Sequence, residues 1–162
     1  MTPVQEKTFN DAILAARVTW FVLCFLVPLG LAGVHLFQVL HGSPGAYFAG
    51  FGGVRWWHPS VFIPVLASVL VLASAAVLPE HLACAGQRRE RSIFVRLRNR
   101  HTFTCVFLDA IAACGLVLGL VLGPQLASLA LALMLVPVVA GCIIFPNGSD
   151  WRFRFALENQ KS

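Results

Sequence analysis

The stretch TFTCVFLDAIAACGLVLGLVL, residues 102–122, decides the fold, because it is long, apolar and interrupted by a single formal charge. Its 21 residues reach the length of about 20 that a helix needs to cross the hydrocarbon core of a bilayer. That core offers no water to the polar groups of the backbone, so a helix is the expected form. We therefore predict a transmembrane helix over residues 102–122.

Three further apolar segments have a similar length: residues 18–40, 60–79 and 125–145. The chain is 58% hydrophobic and 12% charged, which is about half the charge of a soluble domain. So little charge does not cover a water-facing surface, and lipid is the expected solvent. Residues 18–40 exceed the apolar core of a signal peptide and are predicted to be an uncleaved span. The predicted fold is all-α, one domain over residues 1–162 with four transmembrane helices.

Basic residues predict the orientation of this bundle, because positively charged loops stay on the cytoplasmic side of a membrane. Four spans place the N-terminus, the loop 80–101 and the residues after 145 on one side. That side carries 11 of the 12 lysines and arginines, and Arg55 in the loop 41–59 is the exception. Both termini are therefore predicted to be cytoplasmic, and a bacterial inner membrane is the expected location.

The basic side is predicted to contact lipid headgroups rather than nucleic acid. The loop 80–101 is short and fixed at both ends, and its apolar residues fit an interfacial half-helix. These residues are Ile93, Phe94, Val95 and Leu97. The tail WRFRFAL, residues 151–157, alternates aromatic and basic side chains, as expected at the same interface. The predicted headgroup contacts are Arg88, Arg89, Arg91, Arg96, Arg98, Arg100, Arg152 and Arg154, and the predicted aromatic anchors are Trp56, Trp57 and Trp151.

Gly115, Gly119 and Gly123 form a ridge of small residues at intervals of four along the segment 102–122. Such a ridge allows another helix backbone to come close. The partner helix is either the first or last span of this chain, or a helix of a second subunit or a second copy. The sequence leaves both alternatives open.

Asp109 is the formal charge that lies inside a predicted span. An ionised side chain at that depth costs about 2.5–3.5 kcal/mol on insertion scales, so it marks a candidate functional site. It is either a relay for protons or ions, or a structural acceptor for an arginine of the basic loop or a hydroxyl on a neighbouring span. His35 and Gln38 on the first span are the further candidates, for a quinone-like or polar ligand.

Histidines and cysteines give weaker indications of a cofactor. A haem b held by two histidines needs them at matching depth on facing helices, whereas the five histidines lie near span ends. Two histidines and two cysteines at the basic edge are chemically suited to zinc, but their order differs from that of zinc fingers. These four residues are His81, Cys84, His101 and Cys105. We predict no metal and no cofactor, with haem or quinone as the alternative.

The glycine ridge, the short loops and the near absence of charge inside the predicted spans favour a non-enzymatic role. The sequence contains no nucleotide-binding loop, no nucleophile elbow and no zinc-protease motif. The first hypothesis is a membrane subunit, an anchor, assembly or accessory component of a larger complex. Its partners would be the bilayer and another membrane protein or a second copy. The alternative is a small oligomeric transporter or channel that uses Asp109. A redox subunit with haem or quinone is the third hypothesis.

Overall fold

Helices account for almost all of the residues that the computed structural model describes, which are 3–42, 57–85, 93–122 and 126–159. These ranges contain no strand, so the prediction of an all-helical chain is confirmed for them. A π-helical turn, Val22–Leu26, connects the first two helices without a break. The α-helices in these ranges are α1 (Pro3–Phe21), α2 (Val27–Gly42), α3 (Pro59–Ala85), α4 (Ile93–Leu122), α5 (Ala127–Ile143) and α6 (Gly148–Asn159).

Two of the described helical segments, Pro3–Gly42 and Ile93–Leu120, are long and apolar enough to cross a membrane. Helices α5 and α6 reach that length only as a pair bent by 63°. The apolar part described for α3, Val61–Ala75, is shorter. The chain is thus a helical bundle with two or three candidate spans, which indicates an integral membrane protein. Four spans, and the side on which the termini lie, stay predictions.

The helices extend beyond the predicted spans at the polar ends. The first helix begins well before position 18, where the predicted span starts. One face of this added part is buried, and Phe9 lies on it. Helix α4 begins at Ile93, so residues 93–97 belong to α4 and do not form a separate half-helix in the loop 80–101. The physical reason is packing: the buried ring of Phe94 contacts Phe9 edge-on, with 5.5 Å between the ring centroids.

The π-helical turn ends two residues before Pro28, and the proline explains it. A proline inside a helix donates no hydrogen bond, and its ring collides with the carbonyl group four residues earlier, here that of Cys24. The wider turn, in which the N–H of Val27 bonds to the carbonyl of Val22, adds a residue at this place. The helix therefore continues past a buried proline.

Helix α4 lies at the centre of the bundle and packs against the π-turn and the other five described helices. Three buried clusters follow one another along it. The first joins the start of α4 to α1 and α6 around Phe94, and we call this the charged end. The second joins its middle to the π-turn around Cys105. The third joins its last turns to α2 and α5 around Leu118, and we call this the glycine end.

Candidate functional site

The space beside two glycines of the predicted ridge on α4 is occupied by other helices of the same chain. A Cβ atom on Gly115 would lie 2.7 Å from the carbonyl oxygen of Ala130 in α5. A Cβ atom on Gly119 would lie 2.6 Å from Cε1 of His35 in α2. Both distances are shorter than real Cβ contacts, so α5 and α2 approach α4 this closely because glycine is present. The third, Gly123, lies outside the described residues.

His35 is the polar side chain at the centre of this junction, and it is only 2% exposed. Its Nε2 lies 3.4 Å from the carbonyl oxygen of Ala127, in the first turn of α5. In the tautomer protonated at Nε2, the ring donates a hydrogen bond to that carbonyl while its other edge rests on Gly119. The imidazole thereby links α2, α4 and α5 at the glycine end.

The structure separates His35 from Gln38. The buried face of α2 includes Ala32, His35 and Val39, whereas the Gln38 side chain is exposed. The two side chains therefore do not converge on one interior ligand site.

His35 is also far from His101. Gly119, which contacts His35, lies 18 residues after position 101 along α4, or about 27 Å at 1.5 Å per residue. A haem with both histidines as axial ligands does not fit that separation.

A further close approach connects the π-turn to α5. A Cβ atom on Gly141 would lie 2.7 Å from Cβ of Cys24. The carbonyl oxygen of Gly141 accepts a hydrogen bond of 2.8 Å from Nε1 of Trp20. Carbonyl groups in the last turn of a helix have no partner within that helix, so Trp20 stabilises the end of α5. The available signal in the sequence was a tryptophan inside a predicted span, since a buried indole N–H needs an acceptor.

The four residues considered for zinc are only partly described. Nε2 of His101 lies 3.7 Å from Sγ of Cys105, one turn later on α4. Cys24 belongs to the same buried cluster as Cys105. The side chains of His81 and Cys84 are outside the described set. Within the described part of the chain, no group of three or more histidine, cysteine or acidic side chains is arranged to hold a metal ion.

Asp109 lies on α4 one turn after Cys105, and its side chain is partly exposed. Its Oδ1 atom is buried and accepts no hydrogen bond from the residues that the structure describes. The structural role expected for this carboxylate needs an arginine or a hydroxyl group, and neither reaches Oδ1 within those ranges. A buried carboxylate oxygen without a partner is costly, which keeps Asp109 a candidate for proton coupling.

The predicted headgroup arginines lie in different environments. Arg100 on α4 and Arg154 on α6 line one cavity beside the α5–α6 bend. Arg152 lies on another side of α6, against α1. Arg96 and Arg98 are half-buried on the first turns of α4. The remaining three, Arg88, Arg89 and Arg91, lie outside the described residues.

The predicted aromatic anchors differ in their exposure. Trp57 is 91% exposed, as a side chain at an interface would be. Trp151, in contrast, is 7% exposed and packs with Phe9 and Phe94 in the cluster at the charged end. The cause is the 63° bend before α6, after which Trp151 packs against α1 and α4. Trp56 lies outside the described residues.

Comparisons with protein-family models, with curated proteins and with solved structures found no match for this chain.

Proposed function

We propose that this chain is a small, non-enzymatic subunit of a larger membrane protein complex. It spans a bacterial inner membrane four times, with both termini in the cytoplasm. The proposal rests on a row of exposed residues that begins at the end of the π-turn and continues along α2. The row recurs at alternating intervals of four and three, and every member is exposed. We call it the α2 seam, and its members are Leu26, Gly30, Gly33, Phe37 and Leu40.

The two glycines of the seam face open space. Among the residues that the structure describes, no atom lies within 4 Å of a Cβ atom placed on Gly30 or on Gly33. A glycine inside a helix costs about 0.5–1 kcal/mol of stability relative to alanine, because its backbone loses more conformational freedom on folding. At Gly115 the close approach of α5 offsets that cost. At the seam, a helix from another protein would offset it.

The spacing of the seam matches that of helices that pack side by side with interlocking side chains. In lipid, such association depends on close van der Waals contact, because lipid tails are as apolar as leucine side chains. Leu26 and Phe37, which are 60% and 63% exposed, precede and follow the two glycines in this row, so the glycines form a low point between two bulky side chains. The partner is accordingly a transmembrane helix, from another membrane protein or from a second copy of this chain.

Replacing Gly33 with leucine tests this proposal. The new side chain meets no described residue of this chain, so the protein should fold while the low point of the seam is filled. We expect the wild type, purified gently from its native membrane, to carry a stoichiometric membrane protein partner that Gly33→Leu loses. Ala113→Leu adds similar bulk at an exposed position of α4 and should keep the partner. A monomeric wild type, or undiminished association in Gly33→Leu, would refute the proposal.

A second candidate function, proton-coupled transport, is favoured by the unpartnered Oδ1 of Asp109. In that function the carboxyl group takes up and releases a proton during each transport cycle. Asp109→Asn should then abolish flux in reconstituted vesicles while the protein still folds. Asp11→Asn, at an exposed position of α1, is the matched control and should leave flux unchanged. Equal flux in wild type and Asp109→Asn would eliminate this function.

A further inference from the structure

A cavity of about 320 Å³ lies at the charged end of the bundle, between α4 and the bend that joins α5 to α6. Pockets that bind small ligands start at about 300 Å³, so this one has room for a headgroup. Its polar lining includes Arg100 and His101 from α4, and Asp150 and Arg154 from α6. Its apolar lining includes the bend residues 144–146. The cavity is therefore amphipathic.

We propose that this cavity binds the phosphate group of an anionic membrane lipid, and that Arg100 and Arg154 contact the phosphate oxygens. A guanidinium group presents several N–H donors in a planar fork that matches the spacing of phosphate oxygens. The two arginines outnumber the carboxylate of Asp150, so the charged groups of the lining have a net positive charge. This ligand site is separate from the α2 seam and does not depend on the proposed complex.

The position of the cavity favours an amphiphile over a soluble phosphate. Arg100 and His101 are the last polar residues before the apolar run 102–122 of α4 begins. The bend residues follow directly after the end of the apolar helix α5. The lining thus changes from charged to apolar at the same depth at which the helices change from polar to apolar. A phospholipid has the same change of polarity between its headgroup and its acyl chains. A soluble phosphate would use only the polar half of the lining.

The arginines of α6 are divided by the geometry of the helix. Residues two apart point about 200° away from each other around a helix axis. Arg154 accordingly lines the cavity, whereas Arg152 lies over the ring of Phe9 at 5.1 Å and 3.9 Å from Glu6. Arg152 has the same charge and lies on the same helix, but outside the cavity. It therefore provides a matched control for Arg154.

Contacts across the cavity hold its two helices in place. The ring of Trp151 on α6 lies edge-on to His101 on α4, with 6.4 Å between centroids. The hydroxyl group of Thr104 donates to the carbonyl oxygen of Arg100 at 3.1 Å, so it is engaged within α4. The guanidinium groups of Arg100 and Arg154 therefore come from two helices that contact each other.

Binding of defined lipids to the purified full-length protein tests the proposal. The probes are a short-chain phosphatidylglycerol, the matching phosphatidylcholine, glycerol phosphate and inorganic phosphate, each titrated in an uncharged detergent. We expect phosphatidylglycerol to bind more tightly than the other three. Arg154→Gln should weaken its affinity roughly tenfold or more, the size expected for a hydrogen bond to a charged group. Arg152→Gln should change the affinity by less than about twofold, since exposed charges contribute little.

Asp150 gives a change of opposite sign. Its carboxylate repels a phosphate in the same cavity, so Asp150→Asn should tighten phosphatidylglycerol binding. Arg154→Lys keeps the charge but loses the fork, and its affinity should fall between those of wild type and Arg154→Gln. Glycerol phosphate binding as tightly as the lipid would identify a soluble phosphate as the ligand. Equal effects of Arg154→Gln and Arg152→Gln, or equal affinity for phosphatidylcholine, would overturn the proposal.

Discussion

Two pairs of glycines occupy apolar helices of this chain and have opposite surroundings. Gly115 and Gly119 on α4 contact α5 and α2 at distances that only a glycine permits, whereas Gly30 and Gly33 on α2 have no close neighbour among the described parts of the chain. The glycines on α4 are four residues apart, which is the usual spacing for close helix association, and their neighbours are helices of the same chain. Spacing alone therefore shows where a helix is able to approach closely, and the structure shows which of these places is still available.

The largest effect should come from Gly115→Ala, at the filled pair. The added Cβ would meet the backbone carbonyl of Ala130, which cannot rotate away as a side chain can. We expect a loss of about 3 kcal/mol in the free energy of unfolding, at the upper end of the usual range for overpacking. This loss is measured by comparing the unfolding of the variant and the wild type in mixed micelles. A Gly115→Ala protein as stable as the wild type would show that α5 does not pack against α4 as described.

Gly119→Ala should cost less, about 1–2 kcal/mol, because its nearest neighbour is the ring of His35 and a ring is able to shift. In a His35→Ala background most of this cost should disappear. A double-mutant cycle on the free energy of unfolding gives the coupling between the two positions. Strict additivity of the two changes would contradict the contact.

Trp20→Phe should cost about 1 kcal/mol, the contribution of one hydrogen bond, because it removes the donor to the carbonyl of Gly141. Much of the ring contact with Phe25 and Phe145 is kept. Trp57→Phe is the matched control at an exposed position and should not change stability. Equal thermal midpoints for wild type and Trp20→Phe would argue against this bond.

The smallest effect should come from Gly33→Ala, at the open pair. An added methyl group meets no neighbour in the described ranges, and it restricts the unfolded chain. The isolated protein should become slightly more stable, by about 0.4–1 kcal/mol. A clear destabilisation, measured as for Gly115→Ala, would mean that this face of α2 is already covered within the chain.

Much of the helical architecture could be predicted from the sequence, because long apolar runs in lipid have few alternatives. The predicted segment 102–122 ends where α4 ends, and the predicted segment 125–145 contains α5. Residues 3–17 of α1 were missed because their charged side chains set them apart from the apolar run that begins at residue 18. The signal was nevertheless present: the buried residues recur at helical spacing, and they are Phe9, Ala12, Ile13 and Ala16.

Less of the candidate site could be predicted. Gly115, Gly119 and Asp109 were identified from residue type and spacing, but their neighbours depend on which helix packs where. The contact of His35 with Gly119 joins helices far apart in sequence, and no local pattern encodes it. The π-turn has no periodicity of its own, and Pro28 was its one local indication.

The claim that the α2 seam receives another transmembrane helix has a direct test in native membranes. A photo-reactive amino acid is placed in turn at Gly33 and Phe37 of the seam and at Ala113 on α4, which is also exposed. We predict a protein adduct of one defined mass from both seam positions and none from Ala113. Lipid adducts alone at all three positions would show that the seam faces the bilayer, and would contradict the account.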